Sequence, residues 1–252
     1  MKEYEFYNEI KNWDFSMINY EEEVLSSWDL YEILKSITNE NSKVLDLGTG
    51  GGEKVLKYFP KVGEILATDF SEEMINTANM NLKASGKTGI TFRKMDNLNI
   101  DTEENYFDVV VARHTCIDAK GIYKTLKPGG ILLVRGVDKD DSIELKNLFG
   151  YGQAYFDPKS ISEIDFENIK EAGFKDTKLT EIYINEYYKT KEDLVALLLK
   201  VPILDEFSEL EENNNFKKRE LDINLLDKYI EENLTDKGIL LKRKYYGIVA
   251  KK

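Results

Sequence analysis

The stretch Lys43-Val-Leu-Asp46-Leu-Gly48-Thr-Gly50-Gly51-Gly52-Glu53 decides how this chain folds. Residues 43–47 form a short, mostly apolar run that reads as a strand. Four glycines follow within five positions, and residues 53–59 then read as a helix. A strand that passes through a glycine turn into a helix opens a parallel α/β unit. Glycine at such a turn supplies backbone freedom and lets the main chain approach a ligand.

The same alternation continues downstream. Residues 64–68 predict a second strand, 72–85 a helix and 90–94 a third strand. Residues 107–112 are nearly all apolar, as suits a strand buried on both faces. A helix over 119–126 is closed by Lys127-Pro128-Gly129-Gly130, before a fifth strand at 131–134. Strands alternating with helices predict a doubly wound α/β sheet, mostly parallel, with helices on both faces. A helix over 160–172 ends at Gly173. Residues 175–188 and 238–250 complete seven strands, the last of them antiparallel. Residues 1–40 read as an aromatic-rich helical cap, and about 190–237 as a helical insert whose N-cap is Thr190. The whole of 1–252 is expected to be one domain.

Composition bounds the function. The chain has 252 residues, 42% of them hydrophobic, enough for one substantial core. No segment approaches the roughly 20 apolar residues of a membrane span. The N-terminus lacks the pattern of a signal peptide. The single cysteine, Cys116, excludes an internal disulfide and reads as a small buried thiol rather than a nucleophile. These features predict a cytoplasmic protein with no membrane partner. A net charge of −12 opposes a nucleic-acid-binding surface. The basic triplet Lys242-Arg243-Lys244 is expected to be a solvated strand edge.

The acids around the glycine turn discriminate between ligands. A dinucleotide fingerprint, G-x-G-x-x-G, places a third glycine where this chain has Glu53. Glu53 at the helix start and Asp46 before the turn would repel a pyrophosphate. They favour a ligand carrying positive charge.

Asp46, Gly48, Gly50 and Gly52 match the acid-x-Gly-x-Gly-x-Gly pattern that opens the class I methyltransferases. The chain resembles that family over about residues 43–136. The resemblance implies a Rossmann-like fold and an S-adenosylmethionine cofactor, with S-adenosylhomocysteine as its product. It also implies that Asp46 orders the loop and the methionine amino group, with Gly48, Thr49 and Gly50 against the cofactor. Asp69 ends the second strand, 23 residues after Asp46. It reads either as the carboxylate for a ribose diol, with Phe70 and Met74 packing on adenine, or as a helix N-cap. Asp96 and Asn97 correspond to the family's adenine contacts; the alternative is an Asx turn.

After the fourth strand stand Arg113, His114, Thr115 and Cys116. No Asn/Asp-Pro-Pro-Tyr/Phe motif of base-modifying enzymes occurs there, and no metal-ligand set is evident. His114, the only histidine, reads as a base, an orienting donor or a wall of the pocket. Arg113 reads as a cofactor-pocket residue, a ligand for an anionic substrate group or a partner of a nearby acid. Trp13, Phe15, Tyr20, Tyr187 and Tyr188 read either as lining for an acceptor pocket or as packing for the flanking segments. Leu197, Leu198, Leu199 and Val201 belong to a lid or to a dimer surface. The expected activity is methyl transfer to a small molecule by a monomer or homodimer. An RNA or tRNA methyltransferase, or a cofactor-binding protein without catalysis, is the alternative.

Overall fold

The computed structural model describes residues 15, 17–208 and 216–252; Trp13 lies outside them. The sheet is laid down by β2 (Lys43–Leu47), β3 (Glu64–Asp69), β4 (Ile90–Lys94), β5 (Phe107–Arg113) and β6 (Leu126–Val137). These pair in parallel in the order β6-β5-β2-β3-β4. On the other side of β6 lies β9 (Gly238–Lys251), antiparallel to it, and β7 (Lys175–Tyr188) pairs antiparallel with β9. These are the seven expected strands. Two more occur among the described residues. β1 (Tyr20–Val24) pairs antiparallel with the outer side of β7, and β8 (Leu234–Thr235) forms a short hairpin with β9.

The helix α1 (Leu30–Ile37) starts at Asp29, whose carboxylate accepts the Tyr31 and Glu32 amides at 2.8 and 2.9 Å. It buries Leu30 and Leu34 on the face of the sheet built from Val44, Ala67, Val109, Val111 and Leu133. With α2 (Glu53–Tyr58) and α3 (Glu72–Ser85) it covers that face. The opposite face, with Leu45, Leu47, Val110, Ala112 and Leu132, packs on α4 (Ala119–Thr125) and α6 (Ile161–Glu171).

The expected helical cap is corrected at residues 20–24, which are β1. Tyr20-Glu-Glu-Glu-Val24 has ordinary helical propensity, but the open edge of β7 offers its backbone a full set of partners. The insert also differs in part. Its helices are α7 (Lys191–Lys200), a 3-10 turn at Pro202–Leu204 and α8 (Ile223–Asn233), while Glu206 and Phe207 make isolated β-bridges. A further helix, α5 (Ile143–Phe149), follows β6. Thr190 does cap α7, in a capping box with Asp193.

β6 pairs with β9 only as far as Val137↔Tyr245, whereas β7 and β9 stay paired to Tyr188↔Ile239. Residues 238–244 of β9 therefore project past β6 by roughly 24 Å at about 3.4 Å per residue. This extension carries its own core of Leu145, Tyr188, Leu194, Leu197, Leu198, Leu226 and Leu241. Leu197 and Leu198 are thus committed to the interior, and Leu199 alone of the expected dimer surface is exposed. Tyr20 stacks on the fully buried Tyr188 at 5.3 Å. Tyr187 is buried and donates to Glu23 at 2.7 Å. These tyrosines, with Phe15, pack the extension.

The basic triplet is corrected as well. Arg243 is buried at the foot of the extension. Its guanidinium donates to both Asp141 oxygens at 2.9–3.2 Å and to both Glu186 oxygens at 3.0 and 3.2 Å. Tyr188 donates to Glu186 at 2.5 Å. Removing one partner of such a cluster strands the others without a counter-charge. Arg243→Met is expected to destabilise the protein by about 3–5 kcal/mol in urea unfolding, with Asp141 and Glu186 left facing each other.

Candidate active site

The C-terminal ends of the parallel strands meet the glycine turn on the face covered by α1. Gly48, Gly50 and Gly52 all have positive φ, at +73°, +58° and +77°. A Cβ on Gly48 would lie 2.7 Å from that of Thr115, and one on Gly52 would lie 2.6 Å from the Phe92 ring. The glycines are therefore required by the turn itself and by neighbouring side chains.

Asp69 fastens this turn. Its Oδ2 accepts the Gly50 amide at 2.9 Å and its Oδ1 accepts the Ser71 amide at 3.0 Å. The N-cap of α3 is Ser71, so Asp69 does not take that role. A carboxylate has about four acceptor positions, so these bonds leave capacity for further donors. Burial raises the Asp69 pKa, against the amide bonds of Ser71, Gly50 and Phe70. Burial also pushes Asp46 up to about 7, opposed by the Thr49 hydroxyl and then by the charge of Arg113.

Register aligns these residues. Leu47 pairs with both Thr68 and Ala112, so Gly48 stands level with Asp69 on one side and Arg113 on the other. Arg113 pairs directly with Arg135, and Arg135 with Gly247. One row across the sheet thus runs Asp69, Gly48, Arg113, Arg135, Gly247, with Asp46 two residues before Gly48. It is acidic at one end and basic at the other. The pocket beside it is lined by Tyr31, Asp46, Gly48, Thr49, Lys54 and Arg113. Trp28 packs over Gly247, where a Cβ would meet the indole at 2.4 Å.

The remaining expected residues divide. Asp96 is exposed and accepts the Leu98 amide at 2.9 Å, the Asx-turn alternative. Asn97 is buried; its amide donates to Thr115 at 2.8 Å, and its side-chain oxygen has no partner among the described residues. Phe70 is exposed beyond β3, while Met74 is buried under α3. Cys116 is exposed, a correction that follows from its place in the loop after β5 rather than in the strand. Among the described residues, no three His, Cys, Asp or Glu side chains converge as a metal site.

His114 has φ +54°, and its amide donates to Arg135 O at 2.7 Å. The residue is exposed, and its ring stacks on Tyr245 at 5.5 Å. The protein packed against its inner side, and then the charges of Arg113, Arg135, Arg243 and Lys54, hold the imidazole well below the usual histidine range. Lys54, Tyr31, Arg135 and Tyr245 were not anticipated as site residues. The one available signal was Arg135, at the end of an apolar strand that neighbours β5.

Residues 38–157 match the profile of a methyltransferase domain family. The chain is 36% identical over 106 residues to the phosphoethanolamine N-methyltransferase of Plasmodium falciparum, covering 38% of this chain and 39% of that one. It is 29% identical over 183 residues to the release factor glutamine methyltransferase of Flavobacterium psychrophilum, covering 66% and 64%. The chain thus spans less than two thirds of the length of either relative. Among solved structures, the YcgJ protein of Bacillus subtilis shares the fold, with a TM-score of 0.56, 16% identity and coverage of 88% of this chain and 97% of that one. The segment 38–157 is thus similar to methyltransferase domains, and the fold is the one these proteins share. Among the described residues no helix is long and apolar enough to cross a membrane.

The glycine turn gives a direct stability test. Gly52→Ala meets both the left-handed φ and the Phe92 ring, whereas Gly86→Ala meets only a φ of +66° with nothing within 4 Å. The second substitution is expected to cost about 1 kcal/mol and the first clearly more, about 2–3 kcal/mol. Urea unfolding of the two variants measures the difference.

Proposed function

We propose that the protein transfers the methyl group of S-adenosylmethionine to a small-molecule acceptor. The observation that carries this reading is the placement of Asp46 and Asp69 on one face of the sheet, flanking a positive-φ glycine turn. When bound, S-adenosylmethionine supplies an electrophilic methyl on a sulfonium. The residues present suit such a ligand. Asp46 holds the ammonium, and the free lone pairs of Asp69 accept the ribose hydroxyls. In this reading the unpaired Asn97 oxygen and the second oxygen of Asp96 are the acceptors for the adenine amino group. Phe70 and Met74 border the adenine, and Gly48, Thr49, Gly50 and Gly52 shape the wall.

Methyl transfer needs an aligned, dehydrated nucleophile more than it needs acid–base machinery. The helix α1, with Tyr31 and Trp28, roofs the basic half of the row and restricts water there. This narrow space favours a small acceptor, and the net charge of −12 opposes RNA. His114 borders the acceptor, able to take a proton from a hydroxyl as it is methylated, or from an ammonium before the freed amine attacks.

The reading predicts binding of S-adenosylhomocysteine and none of NAD in isothermal titration. Asp69→Ala is expected to weaken that binding by about 1.5–3 kcal/mol through lost charge-assisted bonds. Unchanged affinity would remove Asp69 from the ribose role. A protein that takes neither ligand would be a binding module for something else.

A second prediction concerns pH. The Asp46 carboxyl titrates at about 7 without ligand, and a bound ammonium favours its charged form. Below pH 7, binding must therefore release a proton. Affinity should fall as pH drops from 8 to 6, by up to about tenfold per unit. Titrations in buffers of different ionisation enthalpy count the proton, and Asp46→Asn should flatten the profile. A flat profile in the unmodified protein would place the ammonium elsewhere.

A further inference from the structure

Resting on the methyltransferase reading above, we propose that the acceptor carries an oxyanion, a carboxylate or a phosphate, bound by Arg113 and Arg135 beside His114 and Tyr245.

The two arginines are direct partners on adjacent parallel strands. Their Cα atoms are about 4.8 Å apart, and both side chains project to the α1 face. Neither has a carboxylate within ion-pair reach among the described residues, although the chain has 47 acidic residues against 35 basic ones. The other arginines are treated differently. Arg243 is held by Asp141 and Glu186, Arg219 by Glu206, and Arg93 donates to a main-chain oxygen of Asp101. Two half-buried guanidinium groups side by side repel each other; Asp46 faces Arg113 from beyond ion-pair distance, and no carboxylate pairs with Arg135 among the described residues. An anion from outside relieves that repulsion.

The surroundings fit the same ligand. Arg135 lies over the Tyr245 ring at 4.6 Å, and the far side of this cluster is His114, stacked on that ring. Tyr245 is 6% exposed, and its hydroxyl makes no hydrogen bond among the described residues, so it is available as a donor to an oxyanion. The cofactor's own carboxylate does not account for the pair. It brings one negative charge to the pocket that Arg113 lines with Asp46, Gly48 and Thr49. Arg135 stands one strand further from Asp46, outside that lining. An acceptor anchored there by its anion presents its nucleophile between His114 and the acidic half of the row.

The single histidine makes the test direct, because its ring signals in an NMR titration need no assignment. The groups facing His114 are Arg113 on β5, Arg135 on β6, Arg243 and Tyr245 on β9, and Lys54 on α2. The protein is saturated with S-adenosylhomocysteine, and inorganic phosphate or malonate is then added. Either anion is expected to bind and to raise the His114 pKa by about half a unit or more, by neutralising the guanidinium charge. Arg135→Gln should weaken anion binding at least about fivefold and raise the starting His114 pKa, with cofactor affinity nearly unchanged. Arg113→Gln should do both and also weaken the cofactor. A response to phosphate alone, or to malonate alone, identifies which oxyanion the acceptor bears. The proposal fails if neither anion shifts His114 in the loaded protein, or if the shift survives Arg135→Gln unchanged. A protein that takes up no S-adenosylhomocysteine overturns the methyltransferase reading, and with it the identification of the anion as an acceptor. The anion titration of the unliganded protein then still reports whether the arginines form a site.

Discussion

Everything at the ligand end of the sheet depends on one carboxylate. Asp69 accepts the amides of Gly50 and Ser71 together, and so joins the glycine turn after β2 to the start of α3 after β3. Three positive-φ glycines in five residues would otherwise be a mobile segment, because glycine restricts the backbone least. The charge-assisted bonds turn it into a fixed rim. The cost is a buried carboxylate whose pKa is raised.

The sheet register then distributes charge along that rim. The pairing of Arg113 with Arg135, and that of Leu47 with Thr68 just before Gly48 and Asp69, set acids and bases in a single row across the sheet. A shift of one residue in any strand would turn its member of the row to the other face. The apolar residues below, from Val44 to Leu133, prevent that shift by being buried against α1. Core packing on one level therefore fixes electrostatics on the next.

Much of this was legible in the sequence. The strand–turn–helix units from residue 43 to 137 are local, since each strand is apolar and each helix has its cap or glycine at hand. Asp46, the glycines and Asp69 lie within that local pattern. What was not legible depends on partners distant in sequence. β1 reads as helix because Glu-rich segments do, and only the edge of β7, some 160 residues later, makes it a strand. Arg243 reads as surface until Asp141 and Glu186 arrive from other elements. Asp96 accepts the Leu98 amide while Asn97 bonds Thr115, and no motif records which backbone or side-chain partner each of two neighbours will take. Arg135 becomes meaningful only once β5 and β6 are known to pair in register.

The position of β9 has a consequence for how the chain assembles. It is the last strand of the sheet in sequence, yet it lies in the interior of the order, between β6 and β7. Until residues 238–251 are in place, β6 and β7 each present an unpaired edge, and the extension has only β1 and β7 to fold upon. During synthesis the parallel half can form early, but it must wait with an adhesive border exposed. The final fourteen-residue strand acts as a keystone: its arrival closes two edges at once and brings Arg243 to the acids that await it. Folding of the antiparallel half, which brings Tyr245 against Arg135, is for this reason late, non-local and dependent on the far end of the sheet.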